Sequence, residues 1–331
     1  GYPARKESTE GPERAARRRP ERPPSFKSAH LAFVRTHAIL NAPVAAGPPS
    51  PVLLYSPSWR GTRNEDTFLV EMLASHGYIV ACLDHPYGSS RVAFPGGRIV
   101  RANDEPFLDA SSDAAFDAAM RDAITRVRIR ASDERFVLDT LTRWNSPDSS
   151  SPFRGRLDVA RAGVFGFSFG GAVAAEACWM DPRFRAGMNL DGTLVGEAAD
   201  QGMEQPFLSM EETMPAATAA ELASPVASVR INARMSVRDA ALAQRYAAYR
   251  VIIGGMHHMN FSDVPLYCRL RRFSHAGPID PRRAMQIVND YALAFFDKYL
   301  QGTAEPLFDG LLARYPEVDV RAGRPALARN R

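Results

Sequence analysis

The chain has 331 residues, of which 45% are hydrophobic and 24% are charged. This length and apolar content are enough for one large domain with its own core. No run of roughly 18 apolar residues predicts a transmembrane helix. No apolar signal segment is visible near residue 1, so the sequence leaves the compartment open. A secreted or periplasmic location would require an additional upstream segment.

The positive charge is concentrated in residues 1–27, which hold eight Lys or Arg, four Glu and five Pro. The rest of the chain carries 33 basic and 33 acidic side chains. We therefore predict a disordered basic tail followed by a single domain over residues 28–331. Nucleic-acid binding would need a basic face on the folded domain, and these balanced totals give no hint of one, so no nucleic-acid partner is expected. Contact with a membrane or lipid surface and the oligomeric state stay open.

The sequence gives little indication of a metal site or of disulfide bonds. The three cysteines, Cys82, Cys178 and Cys268, are odd in number and widely spaced, which indicates neither a disulfide framework nor a zinc motif. The pair Asp84-His85 ends a predicted strand but has no third ligand near it in sequence. We predict no bound metal.

Apolar runs and helical patterns alternate along the chain. The predicted strands are 52–55, 79–83, 163–165, 186–190, 206–210 and 250–253. The predicted helices are one from the N-cap Asn64 to Gly77, one over 113–143, one over 170–179, and one opened by Asp280-Pro281 and closed by Gly302. This alternation predicts an α/β architecture with a mostly parallel central sheet and helices on both faces.

One of the strand-to-helix junctions carries a candidate nucleophile. Gly166-Phe167-Ser168-Phe169-Gly170 fits the G-x-S-x-G nucleophile elbow, in which the serine lies on a sharp turn between a strand and a helix. Small residues at both ends let the turn close. The helix that follows directs its N-terminus at the site and favours negative charge there. Ser168 is therefore the predicted nucleophile, and the elbow together with the strand–helix alternation predicts an α/β-hydrolase fold.

A serine hydroxyl needs a histidine base to act as a nucleophile at neutral pH. Only His257, His258 and His275 follow Ser168, and in this fold the base comes last in the chain. The first two come directly after the strand that ends near Gly254-Gly255, at the carboxyl edge of the predicted sheet. His275 has no strand before it and is expected to be structural.

The acid that orients the histidine has two possible positions. Asp191 ends one predicted strand, and the pair Glu211-Glu212 ends the next. Both are carboxyl ends of parallel strands, and both fit the order nucleophile, acid, histidine. Position alone does not choose between them.

Four segments resemble the platelet-activating factor acetylhydrolase-like hydrolases, which include the lipoprotein-associated phospholipase type and bacterial relatives. These segments are 74–80 (ASHGYIV), 166–171 (GFSFGG), 189–192 (NLDG) and 258–263 (HMNFSD). The resemblance covers roughly residues 40–300. Two positions depart from it: Phe167 stands where the family usually has His, and Ser56-Pro57-Ser58-Trp59 stands where it usually has Ser-His-Gly-Leu.

The resemblance implies a catalytic triad of Ser168, Asp191 and His258. It also implies that the backbone N–H groups of Trp59 and Phe169 form the oxyanion hole. It implies calcium-independent hydrolysis of short or truncated acyl esters, with neither a metal nor an organic cofactor. His257 is then a structural neighbour of the base.

The expected function is a serine carboxylic-ester hydrolase that acts on a small-molecule ester through an acyl-enzyme. One alternative is a general short-chain esterase or a polyester or lactone hydrolase, and another is a non-catalytic binding scaffold. A dienelactone-type enzyme would normally have Cys at position 168. No insertion between Asp191 and His258 looks like a large apolar lid, which favours short acyl groups.

Overall fold

The computed structural model describes residues 34–102, 108–268, 273–308 and 314–323. The predicted basic tail, residues 1–27, lies outside them.

A seven-stranded sheet forms the centre of the described chain, in the order β2-β1-β5-β6-β7-β8-β9. Its strands are β1 (Ser50–Ser56), β2 (Ile79–Cys82), β5 (Leu157–Phe167), β6 (Phe184–Leu190), β7 (Phe207–Glu212), β8 (Tyr249–Ile253) and β9 (Val318–Ala322). The first six are parallel, and β9 pairs antiparallel with β8. A separate hairpin pairs β3 (Val92–Ala93) with β4 (Ile99–Val100). The mostly parallel sheet of an α/β-hydrolase fold is confirmed.

Helices connect the strands. They are α1 (Thr67–Ser75), α2 (Asp113–Trp144), α3 (Phe169–Met180), α4 (Glu197–Gln201), α5 (Ala219–Leu222), α6 (Ala227–Tyr246), α7 (Val264–Tyr267) and α8 (Pro281–Phe296). A π-helical turn, Asp297–Gln301, extends α8, and the left-handed Gly302 ends it as predicted. In the part of the chain that the structure describes, no helix combines the length and the apolar content that crossing a membrane requires.

The start of α1 differs from the sequence prediction. Asn64 was expected to cap this helix, but the cap is Asp66, whose side chain makes no capping hydrogen bond. Its carboxylate is occupied elsewhere, because the buried Tyr55 hydroxyl donates to Asp66 Oδ2 at 2.5 Å. A tertiary contact has thus replaced the local cap. At α8 the local signal holds, since Asp280 accepts from the N–H groups of Arg282 and Arg283.

The sheet is covered on both faces, as the side chains of β1 show. Leu53 and Tyr55 belong to the cluster under α1 and α8, whereas Val52 and Leu54 belong to the cluster under α2 and α3. All four side chains are fully buried. A strand buried on both faces reads as a continuous apolar run, which is why the sequence revealed it.

Helix α6 was not predicted from the sequence. It lies with α5 between β7 and β8, and its buried residues are only Ile231, Ala233 and Ala243. A helix that packs through so few apolar side chains gives a weak periodic signal. It nevertheless forms one wall of the candidate site described below.

Candidate active site

Ser168 occupies the sharp turn between β5 and α3. Its backbone angles, φ 56° and ψ −119°, are unusual for a residue with a side chain. The turn can close because the residues two positions before and two positions after Ser168 are glycines. A Cβ at Gly166 would lie 2.4 Å from the carbonyl of Gly170, and one at Gly170 would lie 2.0 Å from the Ser56 carbonyl oxygen. This packing lifts the Ser168 side chain above the carboxyl edge of the sheet.

A continuous chain of hydrogen bonds joins three side chains at this edge. His258 Nε2 lies 3.0 Å from Ser168 Oγ. On the other side of the ring, His258 Nδ1 lies 2.6 Å from Asp191 Oδ2. The structure therefore brings together the three residues that the resemblance implied. A neutral imidazole with its proton on Nδ1 can donate to Asp191 and accept from the Ser168 hydroxyl.

The backbone around Asp191 aims its carboxylate at the histidine. Asp191 has φ 55°, and its N–H donates to the Met210 carbonyl at 2.8 Å. Asn189 closes the turn by accepting from Gly192 N at 2.8 Å and donating to Gly192 O at 2.8 Å. A Cβ at Gly192 would lie 1.9 Å from the Ser168 carbonyl oxygen. The turn of the acid and the turn of the nucleophile thus pack directly against each other.

The rival carboxylates have other partners. Glu211 accepts from Arg250 Nε at 2.8 Å and from the Ser209 hydroxyl at 2.8 Å. Glu212 donates its backbone N–H to Asp191 Oδ1 at 2.9 Å. Burial and the nearby Asp191 charge raise the pKa of the Glu212 side chain. Glu212 therefore supports Asp191 through its main chain, and the imidazole pairs with Asp191.

The two adjacent histidines have different surroundings. His257 is exposed, and its N–H donates to Asn260 Oδ1 at 2.9 Å. His258 begins the short 3₁₀ helix His258–Phe261. The centroid of its ring lies 4.8 Å from the centroid of the Phe167 ring. Phe167 thus packs on the imidazole at the position where the family usually has His.

Opposing effects set the pKa of His258. Partial burial alone would lower it, but the hydrogen bond and the charge of Asp191 raise it, with further contributions from Glu212 and Glu65. The net effect raises the pKa above 6.5, the usual value for histidine.

Of the two residues expected to supply the oxyanion hole, Phe169 directly follows Ser168, and Trp59 packs against Phe169. Phe169 is the first residue of α3, and Trp59 follows β1. Their rings meet edge to face with centroids 5.0 Å apart. The loop before Trp59 is held by Glu65, which accepts from Ser58 N at 2.9 Å and from the Ser58 hydroxyl at 2.8 Å.

A cavity of about 960 Å³ opens beside the three side chains. Its lining includes Ser168, Asp191 and His258 together with the loop 213–217 and residues of α6. Within the cavity Thr193 donates to Asp239 at 2.7 Å, and burial raises the pKa of Asp239 to about 6. Among the described residues, no group of three or more His, Cys, Asp or Glu side chains could hold a metal ion.

Several supporting residues escaped the sequence interpretation. Asn189 and Gly192 flank Asp191 in the segment NLDG, so the motif carried a signal for them. Glu65 and the wall formed by α6 gave none, since their roles depend on contacts between distant segments. Asn260 also belongs here: its Oδ1 accepts from His257 N and from Gly277 N, at 2.9 and 2.6 Å, and so fixes the loop of the histidine.

The parallel sheet, the serine on a strand-to-helix turn and the edge cavity define a protein of the α/β-hydrolase fold. The chain belongs to the family described as platelet-activating factor acetylhydrolase, isoform II, whose model matches residues 25–306. The family resemblance seen in the sequence is therefore confirmed.

Known proteins similar to this chain include esterases. A "Probable 1-alkyl-2-acetylglycerophosphocholine esterase" of Arthroderma benhamiae is 27% identical over 303 residues, covering 81% of this chain and 65% of that protein. The platelet-activating factor acetylhydrolase of Cavia porcellus is 25% identical over 289 residues, covering 81% and 61%. The chain thus spans less than two thirds of the length of these two relatives. The solved structure of a ferulic acid esterase from Streptomyces cinnamoneus is 32% identical, has a TM-score of 0.65 and covers 88% of this chain and 78% of its own.

The neighbouring histidines permit a direct test. His258→Ala should lose roughly three or more orders of magnitude in kcat on a short ester at neutral pH, because the general base is removed. His257→Ala should stay within about tenfold of the parent, as expected for a local packing change. The opposite ranking would move the base by one residue.

The acid can be tested by isosteric amides. Asp191→Asn should lower kcat by roughly 10⁴-fold, because an amide can hold the imidazole in the wrong tautomer. Glu211→Gln, the matched control, should have a small effect.

The pH profile gives a second readout of the same pair. Activity requires unprotonated His258, so the parent should gain activity as pH rises through a midpoint above 6.5. In Asp191→Asn the charge of Asp191, a main interaction that raises the pKa of His258, is gone while burial remains, so the residual activity should have a lower midpoint. An unchanged midpoint would contradict this pairing.

Proposed function

We propose that this chain is a serine carboxylic-ester hydrolase that works through an acyl-enzyme. The observation that carries the proposal is the chain of hydrogen bonds from Asp191 through His258 to Ser168 at the mouth of a large cavity. Membership of an acetylhydrolase family and similarity to a ferulic acid esterase support ester hydrolysis as the chemistry.

The proposed reaction has two halves. His258 accepts the Ser168 proton as the hydroxyl oxygen attacks the ester carbonyl, and the tetrahedral oxyanion is bound by the N–H groups of Trp59 and Phe169. The C–O bond then breaks, and His258 donates its proton to the leaving alcohol. Water, deprotonated by His258, repeats the attack on the acyl-enzyme and releases the acid and free Ser168. Asp191 stabilises the imidazolium in both halves.

The preferred substrate is proposed to carry a short or truncated acyl group. This preference follows from the family resemblance. The premise that no lid-like insertion exists is only partly met, because α5 and α6 lie between Asp191 and His258 and residues of α6 line the cavity. On a short-acyl substrate, we assign most of the cavity to the alcohol part of the ester.

A second candidate is a general carboxylesterase that accepts a bulky aromatic acid. Two observations favour it. The cavity, at about 960 Å³, lies at the upper end of the range for drug-sized ligands, and the similar solved structure is a ferulic acid esterase.

Covalent labelling tests the proposed nucleophile. Ser168→Ala should abolish labelling by a fluorophosphonate probe and should lower ester turnover by roughly 10⁴–10⁶-fold, because no nucleophile remains. Circular dichroism should show an unchanged fold. Ser209→Ala, at another hydroxyl of the cavity wall, is the matched control and should keep its labelling. Full labelling of Ser168→Ala would refute the assignment, and a parent that binds esters without hydrolysing them would indicate a scaffold.

An ester panel separates the two candidate functions. The parent is expected to have a higher kcat/KM for acetyl and butyryl esters than for palmitoyl and feruloyl esters of the same alcohol. Higher kcat/KM for the palmitoyl ester would overturn the short-acyl preference. Higher kcat/KM for the feruloyl ester would establish the second candidate.

A further inference from the structure

A second hydrogen-bonded set of side chains lies directly behind the oxyanion loop, Pro57–Trp59. Ser56 Oγ is 3.1 Å from His85 Nε2 and is also hydrogen-bonded to Glu134 Oε1. His85 Nδ1 is 2.8 Å from Asp133 Oδ2. We refer to Glu134, Ser56, His85 and Asp133 as the buried chain. It has the atom order of a Ser-His-Asp triad, but Ser56, His85 and Glu134 have no exposed surface, so no substrate can reach them.

The protonation states of these side chains can give every hydrogen bond in the buried chain one donor and one acceptor. Burial raises the pKa of Glu134 to about 8 and lowers the pKa of His85 to about 4, so both are neutral at pH 7. The single hydroxyl proton of Ser56 cannot serve both neighbours. Neutral Glu134 supplies the second proton, and His85 can then accept at Nε2 and donate from Nδ1 to Asp133. Every link therefore has one donor and one acceptor.

Arg130, one turn earlier on α2, holds the same loop from the same side. It is 2% exposed. Its Nη1 donates to Pro57 O at 3.3 Å and Ser58 O at 3.2 Å, and its Nη2 donates to Gly88 O at 3.1 Å. The guanidinium carbon also lies 4.8 Å from the centre of the Phe169 ring. One face of α2 thus contacts the oxyanion loop and the residue that follows the nucleophile.

The position of Ser56 is coupled to the nucleophile turn by close packing. Only the absence of a side chain at Gly170 lets the Ser56 carbonyl oxygen approach, since a Cβ there would lie 2.0 Å away. A shift at Ser56 would therefore move the Trp59 amide relative to Ser168. Oxyanion donors act fully only within about 2.7–3.1 Å of the developing charge, so small shifts are costly.

We propose, resting on the hydrolase function above, that the buried chain and Arg130 are positioning residues that align the Trp59 amide with the transition-state oxyanion. They do not touch the substrate. Their contribution is made in the transition state, where the carbonyl oxygen gains charge, and it is absent from ground-state binding.

Ser56→Ala tests the centre of the buried chain. We expect kcat on a short ester to fall by about 10–100-fold while KM stays within about threefold. The affinity for a trifluoromethyl ketone, which forms an oxyanion with Ser168, should fall by the same factor as kcat/KM. The affinity for the corresponding secondary alcohol, which forms no oxyanion, should not change.

The matched control is Tyr78→Phe, which removes another buried hydroxyl. Tyr78 donates to Asp297 Oδ1 at 2.7 Å near α8. The Tyr78→Phe variant should have a lower melting temperature than the parent but the same kcat and the same affinity for the ketone. Glu134→Gln should keep kcat within about threefold, because a neutral amide can still donate to Ser56.

Asp133→Ala keeps the test decisive if Ser56→Ala does not fold, because the Asp133 side chain is 37% exposed and tolerates replacement. It should lower kcat and ketone affinity together by about 3–10-fold. Parental kcat and ketone affinity in the folded Ser56→Ala or Asp133→Ala protein would overturn the proposal. Hydrolysis that survives Ser168→Ala would instead refute Ser168 as the nucleophile, and this result is independent of the variants in the buried chain.

Discussion

The close approach of three backbone turns is the constraint on which the site depends. The Ser56 carbonyl oxygen packs against Gly170 so closely that a Cβ there would clash with it. The Ser168 carbonyl oxygen packs against Gly192 in the same way. These contacts pack the oxyanion loop, the nucleophile turn and the turn of the acid against one another. Ser168 can hold its unusual backbone angles, at a cost of roughly 1–3 kcal/mol, because its neighbours leave it no alternative.

Charge is distributed around this packed centre in a way that suits acyl transfer. Asp191, Glu212 and Glu65 place negative charge near His258, which raises its pKa and would stabilise the imidazolium of the proposed reaction. The N-terminus of α3 and the guanidinium of Arg130 lie on the side of Phe169, where negative charge is expected to develop.

The two hydrogen-bonded sets of side chains differ in burial. Both contain a serine, a histidine and an aspartate at similar distances. In one, the histidine side chain is 41% exposed at the mouth of a cavity, with its pKa raised by Asp191. In the other, the histidine is fully buried and its pKa is lowered to about 4, which removes it as a base at neutral pH. The same three residue types thus occur in two environments that shift the histidine pKa in opposite directions.

The sequence alone determined the features that depend on neighbours in the chain: the buried strands, the G-x-S-x-G turn at Ser168 and the capped start of α8. It limited the acid to Asp191 or the pair Glu211-Glu212, because each ends a strand. It did not predict α6, which packs through few apolar residues. Only the tertiary structure could pair His258 with Asp191, 67 residues away, or join Ser56 to Glu134 across 78. Local patterns record backbone preferences and burial, whereas these contacts arise only when the sheet brings distant loops to one edge.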